Sequence, residues 1–172
     1  MKNVIVCILL GSVFAFSANA ESSTKISDVH LCCGSCVKGV EKAVGEVKEV
    51  TAAVDKDAGT VTLTGPDKAA IQKAANALTA AGYFGKSSNN EIKLAADTGA
   101  KGKKVQTLKL EGVHLCCGKC VSAVEKAVKS VSGVQAHTAK KNAESFEVTG
   151  DFNDAEVLKA LQNAGFTGKV AK

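Results

Sequence analysis

The residues that could do chemistry lie in one stretch that occurs twice. It reads Val29-His30-Leu31-Cys32-Cys33-Gly34-Ser35-Cys36 and returns as Val113-His114-Leu115-Cys116-Cys117-Gly118-Lys119-Cys120. The copies continue together, with Val40-Glu41-Lys42-Ala43-Val44 repeated as Val124-Glu125-Lys126-Ala127-Val128. Six of the seven cysteines lie in these stretches. Thiolates are soft ligands that select Cu(I), Hg(II), Zn(II) or Cd(II) over Mg or Ca. A disulfide framework would spread its cysteines along the chain to staple distant loops, whereas these are packed into two clusters.

The elements that must hold these sulfurs follow from the hydrophobic pattern. Lys25 to Leu31 suggests a strand, but Ile26 is out of phase with Val29 and Leu31. Leu108 and Leu110 are likewise out of phase with Val113 and Leu115, so a bulge is expected near Asp28 and Gly112. After Gly34 the period becomes helical, with Val37, Val40, Val44 and Val47 matched by Val121, Val124, Val128 and Val131. Two alternating runs around Gly59 form a hairpin, paired with 134–138 and 145–149 in the second copy. Pro66-Asp67 and Asn153-Asp154 open second helices that end at Gly82 and Gly165, and short strands are expected near 83–86 and 166–170.

Each copy is therefore strand, helix, strand, strand, helix, strand. The expected fold is α+β: two tandem ferredoxin-like βαββαβ domains, each a four-stranded antiparallel sheet with two helices on one face. The expected bounds are 23–95 and 105–172, with a flexible or turn-forming linker at 96–104. Residues 91–95 could be the last strand of the first unit or pair with 104–110.

Cys33-x-x-Cys36 falls at a strand-to-helix corner, where both sulfurs can converge. Cys36 also feels the helix N-terminus, which favours a thiolate. Lys119, where the first copy has Ser35, should further favour the Cys120 thiolate. Neighbours on an extended chain point to opposite sides, which sets Cys32 and Cys116 apart as additional candidates rather than primary ligands.

Residues 1–20 resemble a signal peptide, with Lys2, an apolar run and Ala18-Asn19-Ala20 before Glu21. The chain is then expected to be exported, periplasmic or secreted, with no membrane span after signal removal. Removing Lys2 lowers the formal net charge from +5 to +4, and every cationic side chain is Lys. Without arginine or clustered aromatics, nucleic acid is not an expected partner.

The element order and the Cys-x-x-Cys corner resemble the heavy-metal-associated (HMA) domain family, which includes copper chaperones, ATPase metal-binding modules and a periplasmic mercury-binding protein. The resemblance covers nearly all of the chain beyond residue 20, as two copies. It implies a metal-binding carrier or scavenger rather than an enzyme, holding a soft metal ion, Cu(I), Hg(II) or Zn(II). Its ligands would be Cys33, Cys36, Cys117 and Cys120. Cys32, Cys116, His30 and His114 are additional candidates. The family's usual Gly-Met before the first ligand is replaced by His30-Leu31 and His114-Leu115. Tyr83 and Phe166 stand where the family often has an aromatic near its metal loop. A metal transporter or another thiol-rich protein is the implied partner. The alternative is a periplasmic thiol–disulfide redox protein using the same pairs, though the strand order is not that of thioredoxin. A third reading is a structural exported protein with its cysteines oxidised.

Overall fold

The computed structural model describes residues 21–171; the expected signal peptide at 1–20 lies outside them. The first half runs β1 (Ser22–Ser27), α1 (Gly34–Gly45), β2 (Thr51–Asp55), β3 (Thr60–Gly65), α2 (Lys68–Ala80) and β4 (Lys86–Ser87). The second half repeats it as β5 (Lys104–Glu111), α3 (Gly118–Lys129), β6 (Val134–His137), β7 (Ser145–Asn153), α4 (Asp154–Asn163) and β8 (Lys169–Val170). The strand orders, β2-β3-β1-β4 and β6-β7-β5-β8, are the same, and every pairing is antiparallel. Two ferredoxin-like folds follow one another, as the periodicity predicts.

The phase conflict in each first strand is resolved without a bulge at that point. β1 stops at Ser27 and β5 at Glu111. The next residues, Asp28 (φ 61°) and Gly112 (φ 72°), take left-handed backbone and rotate the chain. Ile26, Val29 and Leu31 are then all buried, as are Leu108, Leu110, Val113 and Leu115. The register shift in β5 lies elsewhere, between Val105 and Thr107.

The valine stripe is buried at Val40, Val44, Val124, Val128 and Val131, but not at its first position in either copy. α1 buries Cys36, Val40, Ala43 and Val44, and α3 buries Cys120, Val124, Ala127 and Val128. Val37 and Val121 are only half-buried, so a cysteine takes the inner site of each first turn. α2 and α4 are capped by Asp67 and Asn153, whose side chains accept from Ala70 N and Ala155 N.

The connection between the halves is docked. Residues 91–95 form no strand; Gln72 on α2 holds them, donating to Lys93 O (2.7 Å) and accepting from Lys93 N (2.8 Å). Further on, the Asp154 carboxylate accepts from Lys101 N and Lys103 N, each at 2.9 Å. Burial works against its charge, but those N–H donors prevail and hold its pKa below the usual value. Val170 N donates to Thr98 O (2.8 Å), so 96–104 is fastened to the second half rather than free.

The two halves meet where α2 and α4 end. Tyr83 and Phe166 form an antiparallel bridge, with Thr167 N donating to Gly82 O (3.0 Å) and Phe84 N to Gly165 O (3.2 Å). Gly82 (φ 85°) and Gly165 (φ 84°) make that approach feasible. A Cβ on Gly82 would lie 2.4 Å from Gly112 O, and one on Gly165 would lie 2.4 Å from His30 N, both atoms of the opposite half. The buried side chains of both halves form one continuous core.

Candidate metal centre

Cys33 and Cys117 are the N-cap residues of α1 and α3. Both are extended (φ −159° and −150°), and neither sulfur caps its own helix. One turn on, Cys36 and Cys120 are fully buried. Cys32 and Cys116 are half-buried and, as expected for neighbours on extended chain, diverge from the cysteines that follow them. That divergence carries them across the interface. Cys32 Sγ lies 3.3 Å from Cys117 Sγ and 3.4 Å from Cys120 Sγ. Cys116 Sγ lies 3.6 Å from Cys33 Sγ and 3.5 Å from Cys36 Sγ.

Six thiols thus converge at one place between the halves, where the sequence suggests two separate sites. Within each copy the Cys-x-x-Cys sulfurs are 3.8 Å (Cys33, Cys36) and 3.7 Å (Cys117, Cys120) apart, and Cys36 and Cys120 are 3.9 Å apart. None is a disulfide. A metal with bonds of about 2.3 Å to sulfur needs sulfurs about 3.8 Å apart in tetrahedral and about 4.0 Å apart in trigonal coordination. The observed separations are close to both.

Without a metal, so many neighbouring thiols cannot all ionise. Cys36 is pulled down to about 2, first by the hydrogen bond from the Cys120 thiol, with His114 and Cys33 assisting against burial. Cys120 is pushed far up by the same contact and by burial, and burial pushes Cys32 up to about 12. Cys117 is lowered to about 6, first by backbone hydrogen bonding at Cys120. Lys119 contributes its backbone N–H to Cys117, while at Cys120 the neighbouring sulfurs and burial prevail and the thiol is raised.

The two histidines flank the cluster, each against the aromatic of the other half, His30 stacked and His114 tilted. Tyr83 meets His114 and Phe166 meets His30, both with ring centroids 4.4 Å apart. Tyr83 Oη donates to Cys36 O (3.0 Å) and lies 3.1 Å from His114 Nε2. With its proton committed to the carbonyl, the hydroxyl can act toward His114 only as an acceptor, from an Nε2–H. Burial, and then the Cys36 charge, push the Tyr83 hydroxyl far above its usual pKa, so it remains a donor. Phe166 has no hydroxyl, and the buried His30 Nε2 has no partner. A ring nitrogen of His114 lies within 4.8 Å of the sulfurs of Cys36, Cys116 and Cys120, and one of His30 within 4.8 Å of Cys32 and Cys120. His137 sits instead beside Glu125 (3.8 Å).

All eight residues singled out from the sequence are therefore in one locality. What the sequence does not reveal is their sharing across the interface, nor the part of Tyr83 and Phe166, which align beside the histidines of the opposite copy. Cys32, Cys33, Cys117, Gly118, Lys119 and Ser122 line a shallow opening onto the cluster.

The heavy-metal-associated domain family matches residues 107–167. A copper-exporting P-type ATPase of Vibrio cholerae is 35% identical over 77 residues, 44% of this chain and 8% of its own length. Copper-transporting ATPase 1 of Rhizobium meliloti is 29% identical over 160 residues, 91% of this chain and 17% of its own length. The chain thus spans less than a fifth of these relatives. Among solved structures, the N-terminal domain of PacS from Synechocystis PCC6803 is 28% identical, covering 40% of this chain and all of its own, with a TM-score of 0.36. The HMA domain of the copper chaperone for superoxide dismutase is 27% identical, covering 49% of this chain and 85% of its own, with a TM-score of 0.35. The expected export to the periplasm or outside is corrected by the curated relatives, which are copper-exporting and copper-transporting ATPases rather than exported carriers. The matched module is a binding domain, not an enzyme, and with the thiol cluster it supports soft-metal binding. Among the described residues no helix is long and apolar enough to cross a membrane. Residues 107–167 belong to the heavy-metal-associated domain family, and the first half of the chain is a second copy of the same fold.

Proposed function

We propose that this chain is a copper(I)-binding carrier whose cargo is held by Cys33, Cys36, Cys117 and Cys120, with Cys32, Cys116, His30 and His114 able to join. The observation that carries this reading is the convergence of unbridged thiols at separations that suit metal–sulfur bonds. Copper is preferred to mercury or zinc because the relatives that extend over most of the chain are named as copper-transporting ATPases. The partner is a metal transporter or another thiol-rich protein. Cargo would leave through the opening beside Cys32, Cys33 and Cys117, by exchange onto incoming thiolates.

The test is competition for Cu(I) between the reduced full chain and bicinchoninate under anaerobic conditions. Replacing all four of Cys33, Cys36, Cys117 and Cys120 by Ser should weaken binding well beyond the 10–100-fold typical of losing a residue that merely supports a ligand. Copper affinity unchanged in that variant, with the fold intact by circular dichroism, would overturn the reading.

A further inference from the structure

Resting on the copper(I) reading, we propose that the two Cys-Cys-x-x-Cys motifs form one polynuclear copper(I)–thiolate cluster shared between the halves, not two sites. The separations argue for sharing. For every one of the six sulfurs the shortest of them runs to the opposite copy: Cys32 to Cys117 (3.3 Å), Cys33 to Cys116 (3.6 Å), Cys36 to Cys116 (3.5 Å) and Cys120 to Cys32 (3.4 Å). A metal held by one Cys-x-x-Cys pair alone would ignore nearer sulfurs.

The sulfurs also form triangles suited to three-coordinate Cu(I). Cys32, Cys36 and Cys120 have sides of 3.7, 3.4 and 3.9 Å. Cys36, Cys116 and Cys120 have sides of 3.5, 3.7 and 3.9 Å. Cys33, Cys36 and Cys116 have sides of 3.8, 3.5 and 3.6 Å. Each triangle takes sulfurs from both copies and shares an edge with a neighbour, so adjacent ions would share thiolates. Sides of about 4.0 Å are required for trigonal bonds of about 2.3 Å, which a slight expansion supplies.

Charge points the same way. Six thiolates around two Cu(I) would retain about four uncompensated charges in a largely buried site. If every thiolate bridges two three-coordinate ions, about four Cu(I) fit and about two negative charges remain. The N-termini of α1 and α3, capped by Cys33 and Cys117, face that residual charge.

The experiment is an anaerobic titration of the reduced full chain with tetrakis(acetonitrile)copper(I), followed by native mass spectrometry and copper K-edge X-ray absorption. The expected result is a monomer that loads about four ions cooperatively, with copper–copper scattering in the loaded form. Cys32→Ser with Cys116→Ser should lower the loading to two ions and abolish that scattering. Saturation of the wild type at two ions without copper–copper scattering overturns the shared cluster but leaves the copper(I) reading standing. A multi-copper form found only in a dimer of chains overturns it too. No copper binding at all overturns both. The wild-type measurement decides the matter even if the double variant fails to fold.

Discussion

The two halves repeat one fold, yet the histidines they deliver to the cluster are treated differently. In the first half Tyr83 reaches across to His114, and its hydroxyl joins Cys36 O and His114 Nε2. Gly39 on α1 leaves room for that hydroxyl, since a Cβ there would lie 2.3 Å from Tyr83 Oη. In the second half both positions change together. Phe166 stands for Tyr83 and Ala123 for Gly39, so a methyl group occupies the place of the hydroxyl, and His30 Nε2 is left without a partner. One histidine is thus tied by a hydrogen bond to the aromatic of the other half, and the other is held against its aromatic by stacking alone. Duplication supplied two sulfur motifs, and a pair of matched changes then gave their flanking ligand candidates unequal freedom.

The largest effect should come from separating the halves. Gly82→Ala and Gly165→Ala each place a side chain on left-handed backbone, at about 1–2 kcal/mol. Each also drives a Cβ into backbone of the opposite half, which cannot move aside cheaply. With both substitutions the halves should undock while each keeps its secondary structure. Small-angle scattering should show a larger radius of gyration, and cooperative copper loading should be lost. Unchanged scattering and loading would show that the interface does not assemble the cluster.

A smaller effect is expected from making the first half like the second. Tyr83→Phe removes the partner of His114 Nε2 and should cost about 1–3 kcal/mol in urea unfolding, the usual consequence of stranding a buried polar group. Gly39→Ala should cost a comparable amount by displacing the same hydroxyl. The two together reproduce the pair found in the second half and should cost less than their sum, because the methyl fills the space the hydroxyl vacates. Simple additivity would mean that Gly39 and Tyr83 are independent.

Most of the fold is legible in the sequence because period and punctuation agree: Ile71, Ala74, Ala75 and Leu78 trace a helix that Asp67 caps and Gly82 ends. The phase slip at Asp28 and Gly112 is legible as a conflict, but not its resolution, since a bulge and a left-handed residue restore the same face. The connection at 96–104 has the composition of a free linker. Its fastening depends on Asp154, a residue about fifty positions later that sequence marks only as a helix start. The cysteines are legible as ligand candidates, but their union is not. A repeat says what each copy contains and nothing of how the copies face each other. The signal that was available lay in the coupled differences, Gly39 with Tyr83 against Ala123 with Phe166. Each looks like ordinary core variation until the structure brings the positions together.

The smallest expected effect is the converse exchange, and it is the most specific. Phe166→Tyr alone should destabilise the chain, because Ala123 occupies the position corresponding to Gly39 and would meet the new hydroxyl. Adding Ala123→Gly removes that obstruction, at roughly 1 kcal/mol for glycine within a helix. The relieved hydroxyl can then donate to Cys120 O and accept from His30 Nε2–H, a gain of about 1 kcal/mol. The double variant should therefore sit near wild-type stability although each single change falls below it. Nitrogen-15 chemical shifts of the His30 ring should move to an Nε2–H form, since its proton gains an acceptor. If Phe166→Tyr alone is as stable as wild type, the second half already accommodates a hydroxyl, and the asymmetry of the two histidines has another cause.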